Sequence, residues 1–173
     1  MRFLENAPDP AGEFPADVPD YVLYLAFQVT RRRDLLFDAA LAPSGLSLNR
    51  WRSLSVIRRL GECTMKSLAR YTTIDRTTLT RSVDQLVLDG LVERGGSAAD
   101  RRKVMLKLTP RGEEVFLESS LRLSDANRRA FEGIPDDVGR VLARGFQSIL
   151  RNLVEDPELA EDLIQIAPID ERG

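Results

Sequence analysis

Read for period, the chain separates into helical stretches around one short alternating stretch. From Pro19, with Asp20 behind it, Val22, Leu25, Val29, Leu36 and Ala40 form one helical stripe, which stops near Leu41 because Pro43, Ser44 and Gly45 follow. Ser47 is placed to cap a second helix in which Trp51, Leu54, Ile57 and Leu60 recur every three residues and which Gly61 closes. Thr64 caps a short third helix with Met65, Leu68 and Ala69 inside it, ending near Tyr71. After Thr72 to Ile74, Asp75 caps a fourth whose apolar positions are Leu79, Val83 and Leu86 and which Gly90 stops. Two short helices joined by a tight turn predict a helix-turn-helix, although this turn lacks glycine.

After Gly90 the period changes. Leu91 to Arg94 reads as a short strand, Gly95 to Asp100 as a turn-rich tip, and Val104, Leu106 and Leu108 alternate with Met105 and Lys107 as a returning strand. A helix-turn-helix followed by such a hairpin is a winged helix. Thr109-Pro110 then restarts a helix that continues through Val115 to about Phe131, and Pro135-Asp136 opens a last one, with Val138, Val141, Leu142, Phe146, Ile149 and Leu153 on one face. The fold class expected is mainly α with a small two- to three-stranded β wing. Its organisation is a flexible arm over 1–17, a dimerisation helix over 18–42 and a winged helix over 43–108 with its wing at 91–108. C-terminal dimerisation helices over 109–154 and an acidic tail over 155–173, with an apolar patch at Leu163, Ile164 and Ile166, complete it.

Composition then removes most catalytic chemistry. The 173 residues include no histidine and one cysteine, so a Ser-His-Asp triad, a Cys-His pair, an imidazole metal ligand and an intramolecular disulfide are all excluded. No glycine-rich phosphate loop or nucleophile elbow is present, and an enzyme, a metal and a cofactor are not expected. Neither a membrane span nor a signal peptide is read, which places the protein in the cytoplasm.

The net charge of −2 hides a split. Residues 50–111 carry 14 Lys plus Arg against 6 Asp plus Glu, a surplus of +8, while the remainder carries 11 against 21, or −10. A basic module inside an acidic chain points to a polyanion partner. Arg76, Thr77, Thr78, Thr80 and Arg81 lie in the first two turns of the fourth helix, away from Leu79, Val83 and Leu86. Arginine bonds guanine bidentately, and threonine contacts a thymine methyl or a phosphate. On an isolated helix such residues read as solvated surface; beside a wing bearing Arg101, Arg102 and Lys103 they read as a helix that enters the major groove of double-stranded DNA.

The segment Asp100 to Thr109 fits the wing pattern D-x-R-x-x-x-L-x-L-T at every fixed position. With Asp75 to Arg81, Leu86, Gly90-Leu91-Val92-Glu93-Arg94, Leu46-Ser47 and Trp51, it resembles the MarR family of transcriptional regulators over about Val18 to Leu153. The resemblance implies a homodimer whose terminal helices interlock and hold two winged helices over a palindromic operator, with Arg102 reaching the minor groove and Asp100 orienting the basic side chains beside it. The alternative for Asp100 is a turn former at the hairpin tip. The surplus negative charge and apolar faces of the first, fifth and sixth helices independently suit segments kept away from phosphate and paired with a second copy.

Family members commonly bind small aromatic or phenolic molecules between these parts. The candidates here are Tyr24, Phe27, Arg31, Trp51 and Ser55, with core packing as the alternative for Trp51 and Phe27 and a solvated or DNA-facing charge run as the alternative for Arg31. Cys63, just before the capping Thr64, is readable as a reactive thiol or as a buried inert one. The expected function is a homodimeric repressor released from its operator by a small organic ligand. The rivals are an oxidant sensor acting through Cys63 and a winged helix used only as a protein-interaction scaffold.

Overall fold

Among the described residues, 18–96 and 103–165 of the computed structural model, the order is α1 (Val18–Leu41), a 3-10 turn (Ala42–Ser44), α2 (Leu48–Leu60), α3 (Met65–Tyr71), α4 (Arg76–Leu88), β1 (Val92–Gly96), β2 (Val104–Leu108), α5 (Pro110–Ala130), α6 (Asp136–Leu153) and α7 (Pro157–Gln165). The chain divides into two units: Leu36–Asp125, and Met1–Leu35 with Ala126–Gly173.

Polar caps start the helices of the first unit. Ser47, Thr64 and Asp75 have extended backbones, and their side chains accept from the N–H groups of Arg50, Ser67 and Thr78. Each satisfies one of the donors a helix start leaves unpaired. The turn between α3 and α4 needs no glycine because its two ends, Thr72 (φ −109°, ψ 142°) and Asp75 (φ −59°, ψ 151°), lie in regions open to any residue. Gly90, by contrast, ends α4 at φ 69°, where a side chain would be strained, and lets Leu91 N–H reach back to the Leu86 carbonyl at 2.9 Å.

The faces predicted to be apolar on α2, α3 and α4 form the core of this unit. Leu54, Ile57, Leu68, Leu79, Val83 and Leu86 are buried with Leu91, Val92, Leu106, Leu108 and Phe116. β1 pairs antiparallel with β2, Val92 opposite Leu108 and Gly96 opposite Val104. The first strand therefore runs into Gly95 and Gly96, which the sequence assigns to the tip; the ladder with Met105 and Val104 overrides their low strand propensity. A bridge of Cys63 to Leu106, with N–H···O bonds of 3.0 and 2.7 Å, is all of a third strand that the described residues contain.

The apolar stripes assigned to dimerisation have no core around them in this chain. On α1, Val22, Leu25, Val29 and Leu36 are exposed, and only Phe37 and Leu41 of that helix are buried, both in the first unit. Likewise no residue of α6 is buried, and Val141, Leu142, Phe146 and Leu153 are exposed. The segment read as an acidic tail contains α7, so α6 is not the last helix. Asp156 accepts from Glu158 and Leu159 N–H at 3.1 and 3.2 Å, Pro157 opens the helix, Ala160 is buried, and Arg151 of α6 forks onto Glu161 at 2.6 and 3.2 Å. The Asp-Pro start signals this helix as Thr-Pro does α5.

Candidate nucleic-acid interface

With Leu79, Val83 and Leu86 turned into the core, the opposite side of α4 faces solvent. Arg76, Thr77, Thr80 and Arg81 are exposed there and Thr78 is half-buried, so the structure brings all five predicted residues onto one accessible helix start. Asp75 anchors that start: it accepts from Thr78 N–H at 3.0 Å, and hydrogen bonds from Thr78 hold its carboxyl below the usual carboxylate range. Thr80 Oγ1 donates to the Arg76 carbonyl at 2.9 Å, so what Thr80 offers a ligand is its methyl group and the hydroxyl lone pairs. Among the described residues no ion pair occupies Arg76 or Arg81.

Other cations of the +8 segment are tied internally. Arg94 on β1 pairs with Asp84 on α4 at 2.5 Å, Arg58 pairs with Glu113 at 2.8 Å and lies 4.9 Å from the centre of the Phe116 ring, and Arg50 pairs with Asp89. Sequence reasoning missed these pairs; Arg50 and Asp89 lie 39 residues apart, and no local spacing signals the contact. On the wing, Lys103 is exposed, while Asp100, Arg101 and Arg102 lie outside the described residues.

The ligand candidates divide. Trp51 stacks on Phe116 (6.0 Å between centroids, 9° between planes) and meets Phe37 edge-on at 6.4 Å and 79°, which is core packing. Its indole Nε1 is buried without a hydrogen-bond partner, and Ser55 is half-buried. Tyr24, Phe27 and Arg31 fall in the other unit, where all three are exposed; Phe27, at 63% exposure, is not the core residue that its spacing suggests. A concavity of about 750 Å³ lies elsewhere, at the α5–α6 turn, lined by Arg128, Phe131, Ile134 and Arg140 among others and by none of the ligand candidates.

Cys63 is 3% exposed, and burial raises its thiol to about 11. Desolvation outweighs any lowering by the following helix start, so near neutral pH the group is a thiol and not the nucleophilic thiolate. Among the described residues no group of three or more His, Cys, Asp or Glu is placed to hold a metal, and no helix is long and apolar enough to cross a membrane.

The profile of the MarR family matches residues 44–103, from the 3-10 turn through α2, α3, α4 and β1 to the wing tip. This segment is a MarR-family domain. The chain is 32% identical over 91 residues to the multiple antibiotic resistance protein MarR of Salmonella typhimurium; the match spans 53% of this chain and 63% of that protein, less than two thirds of its length. It is 27% identical over 150 residues to the HTH-type transcriptional repressor IacR of Pseudomonas putida, covering 84% of this chain and 86% of that one. Among solved structures, CouR from Rhodococcus jostii RHA1 bound to p-coumaroyl-CoA superposes with a TM-score of 0.69 at 27% identity, covering 78% of this chain and 95% of that one. The MarR-family winged helix here thus comprises α2, α3, α4 and the β1–β2 hairpin, and its exposed helix start is that of α4.

Proposed function

We propose that this MarR-family protein is a sequence-specific DNA-binding transcriptional regulator. The observation that carries the reading is the start of α4, where Arg76, Thr77, Thr80 and Arg81 stand exposed on a helix anchored by its own buried face. Arg76 and Arg81 read base edges, Thr77, Thr78 and Thr80 provide fit, and Arg101, Arg102 and Lys103 neutralise phosphate, with Arg102 in the minor groove and Asp100 orienting its neighbours. The protein acts as a homodimer on a palindromic operator. Support for this comes from α6, whose apolar residues Val141, Leu142, Phe146 and Leu153 have no cover within the described residues, and from the exposed stripe of α1. A second copy would bury both faces and set two α4 helices about 34 Å apart, one duplex turn. The family relative that is a repressor and the one bound to an aromatic acyl thioester favour repression relieved by a small aromatic or phenolic molecule; Tyr24, Phe27, Arg31, Trp51 and Ser55 are its candidate contacts.

The test is a selection of bound duplexes from genomic fragments, followed by anisotropy titrations of the winning duplex across a salt series. Arg102→Ala is expected to weaken binding to every duplex and to lower the salt slope by about 0.9, one phosphate contact. Recovery of no preferred duplex would leave the scaffold reading in its place.

A further inference from the structure

Arg50 stands in the first turn of α2, and its guanidinium joins two distant places. One Nη donates to the Gly45 carbonyl at 2.9 Å in the turn between α1 and α2; the other pairs with the Asp89 carboxylate at the C-terminal cap of α4. The second oxygen of Asp89 accepts from Gln85 Nε2, one helical turn back, at 2.9 Å. The Gln85 amide first, and Arg50 after it, hold the Asp89 carboxyl below the usual range. The Arg50 side chain is 16% exposed, so solvent competes little for the pair. The turn it grips is itself fixed: Leu48 N–H donates to Asp38 on the last turns of α1 at 3.1 Å, and Ser44 and Ser119 hydroxyls lie 3.2 Å apart.

This fork sits at the wrong end of α4 to touch a base. Thirteen helical residues span about 20 Å, which separates Asp89 from Arg76 by nearly the width of a duplex. Through it, nevertheless, the far end of α4 is held to the α1–α2 turn as well as to its own hydrophobic bed. The hydrophobic contacts of Leu79, Val83 and Leu86 are non-directional, whereas a planar guanidinium held at two points fixes an orientation.

We infer that Arg50 is a positioning residue for DNA recognition, setting through Asp89 the tilt at which α4 presents Arg76, Thr77, Thr80 and Arg81, without itself contacting DNA. The inference rests on the DNA-binding reading of α4. Its test turns on the sign of a charge effect. Asp89→Asn removes a negative charge from a DNA-binding module, which by charge alone tightens binding to every duplex. Released tilt does the opposite and does so selectively.

Wild type, Arg50→Gln, Asp89→Asn and the double variant are titrated with the selected duplex and with a scrambled duplex of equal length over a salt series, and each is melted to confirm folding. Expected for both single variants is a loss of about threefold to tenfold in the ratio of selected to scrambled affinity, as for one charge-assisted hydrogen bond, with the salt slope unchanged. The double variant loses no more than the worse single, because both remove one pair. An unchanged ratio in Asp89→Asn, or a slope that drops by about 0.9 in Arg50→Gln, overturns the inference, the latter making Arg50 a phosphate contact. A wild-type ratio near one would instead remove the DNA-binding reading, and the inference with it. Should Asp89→Asn not fold, Gln85→Met, which removes only the amide that holds Asp89, carries the same expectation at the threefold end.

Discussion

Replacing Gly112 by alanine sets a local rule against a packing contact, and the structure decides the sign. Gly112 is buried in the first turn of α5, and an ideal Cβ there lies 2.0 Å from the Leu91 carbonyl oxygen, 2.9 Å from its carbon and 3.3 Å from Leu91 Cα. All three are backbone atoms, so no rotamer change relieves the clash; α5 must move by more than about 1 Å to regain carbon–oxygen contact near 3.3 Å. That movement pulls on the bonds from Thr109 N–H to the Leu91 carbonyl (3.1 Å) and from Thr109 Oγ1 to the Gly90 carbonyl (2.7 Å), and it loosens Phe116 against Trp51. Helix propensity favours alanine by about 1 kcal/mol. Against it stand about 1–3 kcal/mol of overpacking and about 1 kcal/mol for each hydrogen bond stretched. The expected net is a destabilisation of about 2–4 kcal/mol, or a Tm lower by about 4–16 °C for a chain of this size. Urea unfolding followed by circular dichroism, with equal m-values for the two proteins, measures it. A Gly112→Ala protein as stable as wild type or more stable would show that the α5–Leu91 contact is not tight and that propensity prevails.

Other consequences are as direct. Phe146→Asp should raise the dimer dissociation constant at least about 100-fold in sedimentation experiments, since burying an unpaired carboxylate costs several kcal/mol; an unaltered dimer would remove α6 from the interface. Cys63, raised to about 11, should stay unmodified by a thiol reagent at pH 7.5 in the folded protein and react fully in urea, with Cys63→Ser binding DNA as wild type does before and after peroxide; rapid native labelling would reopen the oxidant-sensor reading. Because the folded Asp75 carboxyl titrates below its unfolded value, its cap contributes stability above about pH 4 that is lost as pH falls through the folded value. Asp75→Ala should therefore lower Tm at pH 7 and converge on wild type in acid, and a difference that persisted at pH 2 would deny the cap its charge.

How much of this was legible before folding depends on how local each signal is. The caps at Ser47, Thr64 and Asp75 and the Leu79/Val83/Leu86 face were readable because a helix start and its buried side are specified within a few residues, and the two-strand wing followed from a change of period. The Asp156-Pro157 start of α7 is an equally local signal that the acidic composition around it obscured. The Arg50–Asp89 and Arg94–Asp84 pairs had no local trace, since they arise from tertiary proximity, and for that reason the count of 14 Lys and Arg in residues 50–111 overstates the cations that are free to meet phosphate. The apolar stripes of α1 and α6 were legible as apolar and assigned to a second copy, and in this chain they are exposed: period reports that a face seeks cover, not whether the same chain provides it.

The measurement that bears most directly on the α4 interface is the base preference of Arg76→Ala. Titrated against single-base variants of the selected duplex, the wild-type protein should discriminate at the contacted position by about 1–3 kcal/mol, and Arg76→Ala should lose that discrimination at one position while keeping it at the others. Uniform weakening on every duplex, with all preferences retained, would mean that α4 does not read bases through Arg76 and would contradict the account.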